Sequence, residues 1–549
     1  MEEKEIQAPG VLVSQEQVPV GEGSGSTTHV SGVKAKAVHS AELFAALQES
    51  KIDYKSKYSI HLYISIFVAF CCACADGYDG SLLTGVVAMD HFQNTFHSGK
   101  TGTIVALMFS LYTVGAMVGA PFAAVLSDRW GRRVGMFSGA VIIIVGMIIV
   151  ATAHKIAQFV VGRFVLGFGI SVMTVAAPAY AVEIAPPHWR GRATGFYNCG
   201  WFGGAIPAAA IVYGCNQIDN DFSWRIPLIV QALACVVVLF GVWFIPESPR
   251  FLMANGREEE AIDFLAKYHG NGDPNSKLVQ LEVAEMKEGI RQDGIDKRPL
   301  DYRPFIFSHS GRWRIAQVLM ISIFGQFSGN GLGYFNTTIF EIIGVTSVEQ
   351  QLAYNLLNSV LSAVGALTAV TFTDKMPRRK VLVLGTFACA AALATNSGLS
   401  AALDAQGDNI QPSYAKGALA SYFLFNIIFS FTYTPLQGVL PTEALETTTR
   451  AKGLACSTVV VYAMGFINQF AGPIALGNIQ YKYIYVFVGW DVVEAILWYL
   501  FGVESQGRTL EELEWVYNQP NPVKASLHVD KVIIREDGKV AEKVVTTTV

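Results

Sequence analysis

Leu126-Ser127-Asp128-Arg129-Trp130-Gly131-Arg132-Arg133 is a compact basic block set between two long apolar runs, 103–125 and 134–153. A second such block, Thr373-Asp374-Lys375-Met376-Pro377-Arg378-Arg379-Lys380, again divides two apolar runs, 374 − 128 = 246 residues later. Glu183 with Trp189-Arg190-Gly191-Arg192 returns as Glu443 with Thr449-Arg450-Ala451-Lys452-Gly453, an offset of 443 − 183 = 260. Pro246-Glu247-Ser248-Pro249-Arg250 returns as Val503-Glu504-Ser505-Gln506-Gly507-Arg508, an offset of 504 − 247 = 257. Charged landmarks repeated in one order at nearly one spacing mark an internally duplicated chain, a common architecture among membrane transporters.

Composition points to the same solvent. The chain is 52% hydrophobic and 15% charged, where a soluble protein averages about 25% charge. A net charge of −4 names no nucleic-acid partner. Most cysteines (Cys71, Cys72, Cys74, Cys235, Cys389, Cys456) fall inside apolar runs, so no disulfide framework is implied. No metal-ligand spacing, cofactor motif or nucleophile–base constellation emerges, which argues against an enzyme. Gly167-Phe168-Gly169 lacks the third glycine and the preceding strand of a nucleotide loop.

Outward from the first block, apolar segments each near the ~20 residues needed to cross a bilayer fall at 58–88, 103–125, 134–153, 156–180, 193–213 and 226–245. A second set falls at 315–340, 351–373, 381–401, 417–440, 453–473 and 481–502. The expected fold is therefore an all-α membrane protein of twelve transmembrane helices in two six-helix halves. The expected divisions are a tail at 1–57, a first half at 58–249, a linker with short helices at 250–314, a second half at 315–503 and a tail at 504–549. The tail beyond about residue 517 is read as unstructured. Within the linker, Arg257 to His269 and Leu278 to Ile290 approximate amphipathic helices, the first presenting Ala261, Ile262, Leu265 and Tyr268. Lys and Arg concentrate in one set of loops, including Arg129, Arg132, Arg133, Arg190, Arg192, Arg378, Arg379, Lys380, Arg450 and Lys452. Basic loops stay cytoplasmic, which places both termini inside.

Ionisable residues in apolar spans are functional candidates by default. The first span holds Asp76 and Asp79, and the fourth holds Arg163. An Asp79–Arg163 pair is tolerable in the bilayer where either partner alone is not. The residues leave two roles open, a static pair fixing helix packing and a proton-sensitive pair coupled to movement. Asp76 reads as a cavity-facing polar residue. In the second half, Gln326 and Asn330 lie four apart on one face of a glycine-rich span expected to bend or unwind. Asn358, Gln437 and Asn468 add amides from other spans, and Tyr334 an aromatic face. Amides supply both donors and acceptors, which suits a hydroxyl-covered ligand; each taken singly also suits interhelical bonding.

These motifs together resemble the sugar porters of the major facilitator superfamily, and within them the fungal lactose-permease branch. The motifs are Gly77-Tyr78-Asp79, Asp128 to Arg133, Arg163 with Gly167, Glu183 with Arg190-Gly191-Arg192, Pro246 to Arg250, Gln326 to Phe335, Glu443 with Arg450, and Glu504 to Leu510. Thr434 to Gln437 and Gly472 to Leu476 carry the fungal likeness. The resemblance implies alternating access around a midplane sugar site, with Asp79 and Arg163 as the proton-coupling pair and a proton as coupling ion. Gln326 and Asn330 would hold sugar hydroxyls. Asp128, Arg129, Arg132, Arg133, Glu183, Arg192, Glu247 and Arg250, with Asp374, Arg378, Arg379, Glu443, Arg450 and Glu504, would form a cytoplasmic network tying the halves together. The implied setting is the plasma membrane. The chain departs from the family at Asn198 (where Gln is usual), at Gly438 (near a usual Trp), at Gly325, at Pro377 and in the spacing of Gln326 and Asn330. The roomier site fits a disaccharide or a ligand other than a sugar. A facilitator, a transporter of a specialised metabolite and a non-transporting nutrient receptor are the competing readings.

Overall fold

A computed structural model of the protein describes residues 55–187, 190–295, 302–372, 376–406, 412–446, 449–506, 508, 510–534 and 540–547. Helices dominate it. The first half comprises α1 (Lys57–Val86), α2 (Asp90–Phe96), α3 (Thr103–Trp130), α4 (Arg132–Ala151), α5 (Ile156–Ile184), α6 (Arg190–Cys215), α7 (Phe222–Val230) and α8 (Ala232–Gly241). Short helices α9 (Pro249–Ala254), α10 (Glu258–Tyr268), α11 (Lys277–Ile295) and α12 (Arg303–Phe307) follow. The second half comprises α13 (His309–Phe327), α14 (Asn330–Gly333), α15 (Asn336–Ile342), α16 (Val348–Phe372), α17 (Arg378–Gln406), α18 (Pro412–Ala444), α19 (Arg450–Ile479) and α20 (Lys482–Phe501).

Among the described residues ten helical segments are long and apolar enough to cross a membrane, α7 and α8 counting as one. The two expected spans missing from that set are both present as helix. α6 forms but is rich in glycine, which lowers its hydropathy. The expected seventh span is broken into α13, α14 and α15, as its glycines suggested. Gly329 sits at φ 91° and ends α13, a left-handed conformation that costs glycine nothing and other residues about 1–2 kcal/mol.

Packing explains several other glycines. With lipid outside there is no hydrophobic drive between helices, so close backbone approach must hold them. A methyl group on Gly167 would collide with the Tyr112 carbonyl oxygen, and one on Gly115 with that of Phe164, so α3 and α5 cross in near contact. Gly77 meets the Trp201 carbonyl and Gly204 that of Cys74, which locks α1 to α6. Between the halves, α3 packs on α19 and α6 on α16. Phe240, Trp243 and Phe244 of the first half and Leu384, Phe387 and Tyr499 of the second turn outward as large exposed apolar side chains, as a lipid-facing surface requires.

The linker helices rest on the first half. α10 buries Ala261, Phe264, Leu265 and Ala266, of which Ala261 and Leu265 match the expected face. His269, fully buried, lies 2.7 Å from Glu282 through Nδ1 and 3.2 Å from the Ile184 carbonyl through Nε2.

The chain beyond residue 517 departs from expectation. Helices α21 (Leu510–Asn518) and α22 (Pro522–Ala525) carry Leu513, Val516, Tyr517 and Val523 into a cluster with Phe305, Val318, Ala444 and Leu445. Strands His528–Ile534 and Val540–Thr547 pair as a small two-stranded sheet, because both are rich in the β-branched residues that favour strands.

Candidate functional site

Three groups of polar residues stand where an apolar bundle should have none. The first is at mid-depth in the first half. Asp79 of α1 is fully buried and Arg163 of α5 nearly so; Arg163 Nη1 donates to Asp79 Oδ1 at 2.8 Å and Oδ2 at 3.0 Å. The guanidinium also donates from Nε to the Met108 carbonyl at 3.2 Å and stands 4.7 Å from the Tyr112 ring centroid. The close α3–α5 crossing sets that last contact. Gln231, between α7 and α8, donates its Nε2 to Asp79 Oδ1 at 2.7 Å and is itself buried. Asp79 therefore accepts from a cation and an amide, so its charge is compensated inside a low-dielectric site. The sequence reading found the pair and passed over Gln231. A lone glutamine in an apolar run was the available signal.

The second group gathers on the broken helix of the second half. Asn330 Nδ2 donates to Gln326 Oε1 at 3.3 Å, and Asn468 Nδ2 to the Gln326 carbonyl at 2.7 Å. Gln437 packs its amide against Gly325, where any side chain would collide with it. Gly325 is thus the space that Gln437 occupies. Opposite, Thr113 of α3 donates to Gln469 Oε1 at 2.5 Å across the two halves. Tyr334 reaches the first half through its carbonyl, which accepts from Thr84 Oγ1 at 3.0 Å. A side chain on Gly438 would meet only Asn198 Nδ2, at 3.5 Å, so two small residues face each other where the halves meet. Asn358 is buried, and its Oδ1 has no hydrogen-bond partner among the described residues. By contrast Asn336, Asn355 and Tyr422 bond one another at 3.0 and 2.7 Å and serve as interhelical ties.

Two acids of α20 were missed, although the rule that flagged Asp79 applies equally to them. Asp491 and Glu494 are fully buried. Ser328, beside the Gly329 break, donates to Glu494, as does Tyr433 at 3.3 Å. Neither oxygen of Asp491 has a hydrogen-bond partner among the described residues.

The third group is the charge network at the basic end, and it is built twice. Arg132 grips Glu183 through Nε and Nη2 at 3.1 and 3.2 Å and reaches Asp128 at 3.1 Å. Glu247 accepts from the backbone N–H groups of Arg132 and Arg133 at 3.2 and 3.4 Å, which caps the α4 N-terminus with negative charge. Burial pushes the Glu247 carboxyl up, and N–H donation from Ser248, Arg133 and Arg132 pulls it part of the way back. Ser248 Oγ closes the group onto Glu183 at 2.5 Å. In the second half Arg378 holds Glu443 at 2.9 Å, and Glu504 accepts from the backbone of Arg378 and Arg379 at 2.9 and 3.1 Å. Ser505 Oγ meets Glu443 at 2.5 Å.

The bonds described above join Arg132, Glu183 and Glu247 within the first half, and Arg378, Glu443 and Glu504 within the second. Asp128, Arg129 and Arg250 are exposed, and Arg450 bonds the Leu445 carbonyl at 3.5 Å. Asp374 and the Arg192 side chain lie outside the described residues. Bonds that do cross lie at mid-depth or at the opposite end: Thr337 to the Thr84 carbonyl at 3.0 Å, Lys100 to Glu341 at 2.9 Å, and Gly102 N–H to the Pro473 carbonyl at 3.3 Å.

A doubled clamp at one end and a polar midplane between two six-helix halves are what a solute carrier needs. The family model described as Sugar (and other) transporter matches residues 65–517. The chain belongs to that family, the sugar porters of the major facilitator superfamily. It is similar to the high-affinity glucose transporter of Kluyveromyces lactis, 29% identical over 84% of this chain and 86% of the relative. It is also similar to the quinate permease of Neurospora terricola, 27% identical over 91% of this chain and 97% of the relative. The fold matches the proton:xylose symporter XylE of E. coli with a TM-score of 0.69, at 22% identity, covering 84% of this chain and 100% of that one. This sugar porter is a multi-pass membrane protein and a transporter, not an enzyme.

Proposed function

We propose that this sugar porter imports a sugar, a hexose or disaccharide, by proton symport through alternating access in the plasma membrane, with both termini cytoplasmic. The observation that carries the reading is the buried Asp79–Arg163 pair with Gln231 on the same carboxylate. Proton capture by Asp79 would remove one charge, free Arg163 and change how α1, α5 and α8 hold together. The basic loops support the orientation, and the midplane amides support a hydroxylated ligand. The small Asn198 and Gly438 leave room for more than one ring. In this reading, closure at the basic end by the doubled charge clusters would favour the outward-open state. The likeness at Thr434 to Gln437 and Gly472 to Leu476 supports membership of the fungal lactose-permease branch.

The test is uptake of a labelled sugar panel by transporter-deficient cells, with and without a protonophore, alongside pH recording of the medium. Accumulation that the protonophore collapses, with sugar-induced alkalinisation, is the expected result. Uptake that only equilibrates and moves no protons would make this a facilitator with Asp79 structural.

A further inference from the structure

Asp76 has no role so far, and its surroundings differ from those of Asp79. It lies one helical turn earlier on α1 and is partly open, while Ala75 and Gly77 on either side are buried. Gly77 is pressed on the Trp201 carbonyl, so α1 lies directly against α6 at this level. Its one hydrogen bond among the described residues comes from Tyr112, whose hydroxyl reaches Oδ1 at 3.3 Å. Tyr197 of α6, Tyr334 of the broken helix and Tyr462 of α19 stand close enough to feel its charge. Tyr112 lies on α3, which packs on α19 of the other half, so Asp76 stands beside the seam between the halves. Among the described residues no ion pair includes Asp76, and the Arg163 guanidinium is engaged by Asp79 and the Met108 carbonyl. Two carboxylates one turn apart on α1 are therefore matched by one guanidinium, which Asp79 holds.

From this geometry we infer that Asp76 is a specificity-determining residue: it accepts hydrogen bonds from ligand hydroxyls and bars carboxylate ligands, so the substrate is a neutral polyol. The inference rests on the sugar reading above and narrows it. A carboxylate uses its free lone pairs well on hydroxyl donors. The same group repels an anion, which also finds no free guanidinium nearby to meet it. Neutral sugars pass this filter and sugar acids do not. Tyr112 adds a second consequence. It donates to Asp76 and lies under Arg163, so a ligand hydroxyl on Asp76 bears on the ring that supports the coupling pair.

The experiment uses the full chain in transporter-deficient cells at neutral pH with matched ligands: glucose against gluconate, lactose against lactobionate, and quinate. In the wild type, neutral sugar uptake is expected to resist a hundredfold excess of each acid. Asp76→Asn, which keeps the volume and removes the charge, is expected to raise the KM for neutral sugar several-fold. It should also let the matched acid compete to within about tenfold of its neutral counterpart. Tyr112→Phe should shift KM less and leave acid rejection intact. A wild type inhibited equally by acid and sugar overturns the inference without any variant, so a poorly folding variant does not protect it. So does an Asp76→Asn protein at the cell surface with unchanged KM and unchanged acid rejection. A wild type that moves quinate but no neutral sugar overturns both the inference and the sugar reading; one that moves no ligand of the set overturns the sugar reading on which the inference stands.

Discussion

Arg132 grips Glu183 in the first half as Arg378 grips Glu443 in the second, and Glu247 and Glu504 cap the two helices that begin there. Even the serines that close each cluster, Ser248 and Ser505, correspond. At mid-depth the likeness ends. The first half places a charged pair with an amide on it, and the second half a set of neutral amides on a broken helix. Duplication supplied one scaffold with one clamp. The copies then diverged: the first carries the Asp79–Arg163 ion pair, and the second carries the clustered amides together with the buried acids Asp491 and Glu494. Bonds to a charged group respond to protonation, whereas amide bonds do not. Under the proposed symport, this separation would let proton and ligand act on different halves.

The largest effect that could break this contrast is at Asp79. Asp79→Asn should abolish accumulation against a gradient and remove the pH dependence of uptake, with ligand exchange retained; transport assays in energised and de-energised cells read both. Arg163→Ala should cost about 3–5 kcal/mol of stability, because it strands Asp79 without its cation; thermal unfolding in detergent measures it. If that variant unfolds at the wild-type temperature, the pair is not a compensated charge. Next in size are Gln326→Ala and Asn330→Ala. Each should raise sugar KM several-fold, the equivalent of about 1 kcal/mol, and leave proton coupling intact. A change in coupling would blur the division of labour between halves.

Smaller effects sharpen the likeness of the two clamps. Glu183→Gln and Glu443→Gln should raise labelling of cysteines at the basic end by similar factors, since the clusters are built alike. A one-sided response would show that only one clamp governs closure. The smallest effect is expected at Glu247. Its carboxyl is raised by burial in the folded state, so its ionised form weakens the fold above that pKa and the penalty fades as pH falls through it. Glu247→Gln should therefore cost under about 1 kcal/mol at neutral pH, and the variant should lose any relative gain in Tm on acidification. A cost that shrinks on acidification would reverse the sign.

Much of this was legible in the chain itself. The repeated charges, the apolar runs and the glycines of the seventh span depend on local patterning, and a bilayer makes such patterning unusually strict: every backbone group must be satisfied within its helix. Asp79 and Arg163 were found because charge in a lipid span needs a reason. The partner Gln231 was not, because its meaning depends on α8 passing beside α1. Asp491 and Glu494 were visible by the same rule and were simply passed over. The helical and strand segments beyond residue 517 were hidden by their polar composition.

Sequence by itself determined the duplication, the membrane solvent, the break at Gly329 and the identity of the buried pair, since each follows from residue type and spacing along one chain. Tertiary structure alone decided which residues share a site: that Gln231 reaches Asp79, that Gln437 fills the space over Gly325 and that Arg132 and Arg378 each grip a glutamate of their own half. Those outcomes depend on how separate helices cross, and in lipid the crossings are set by contacts of a few atoms at glycines.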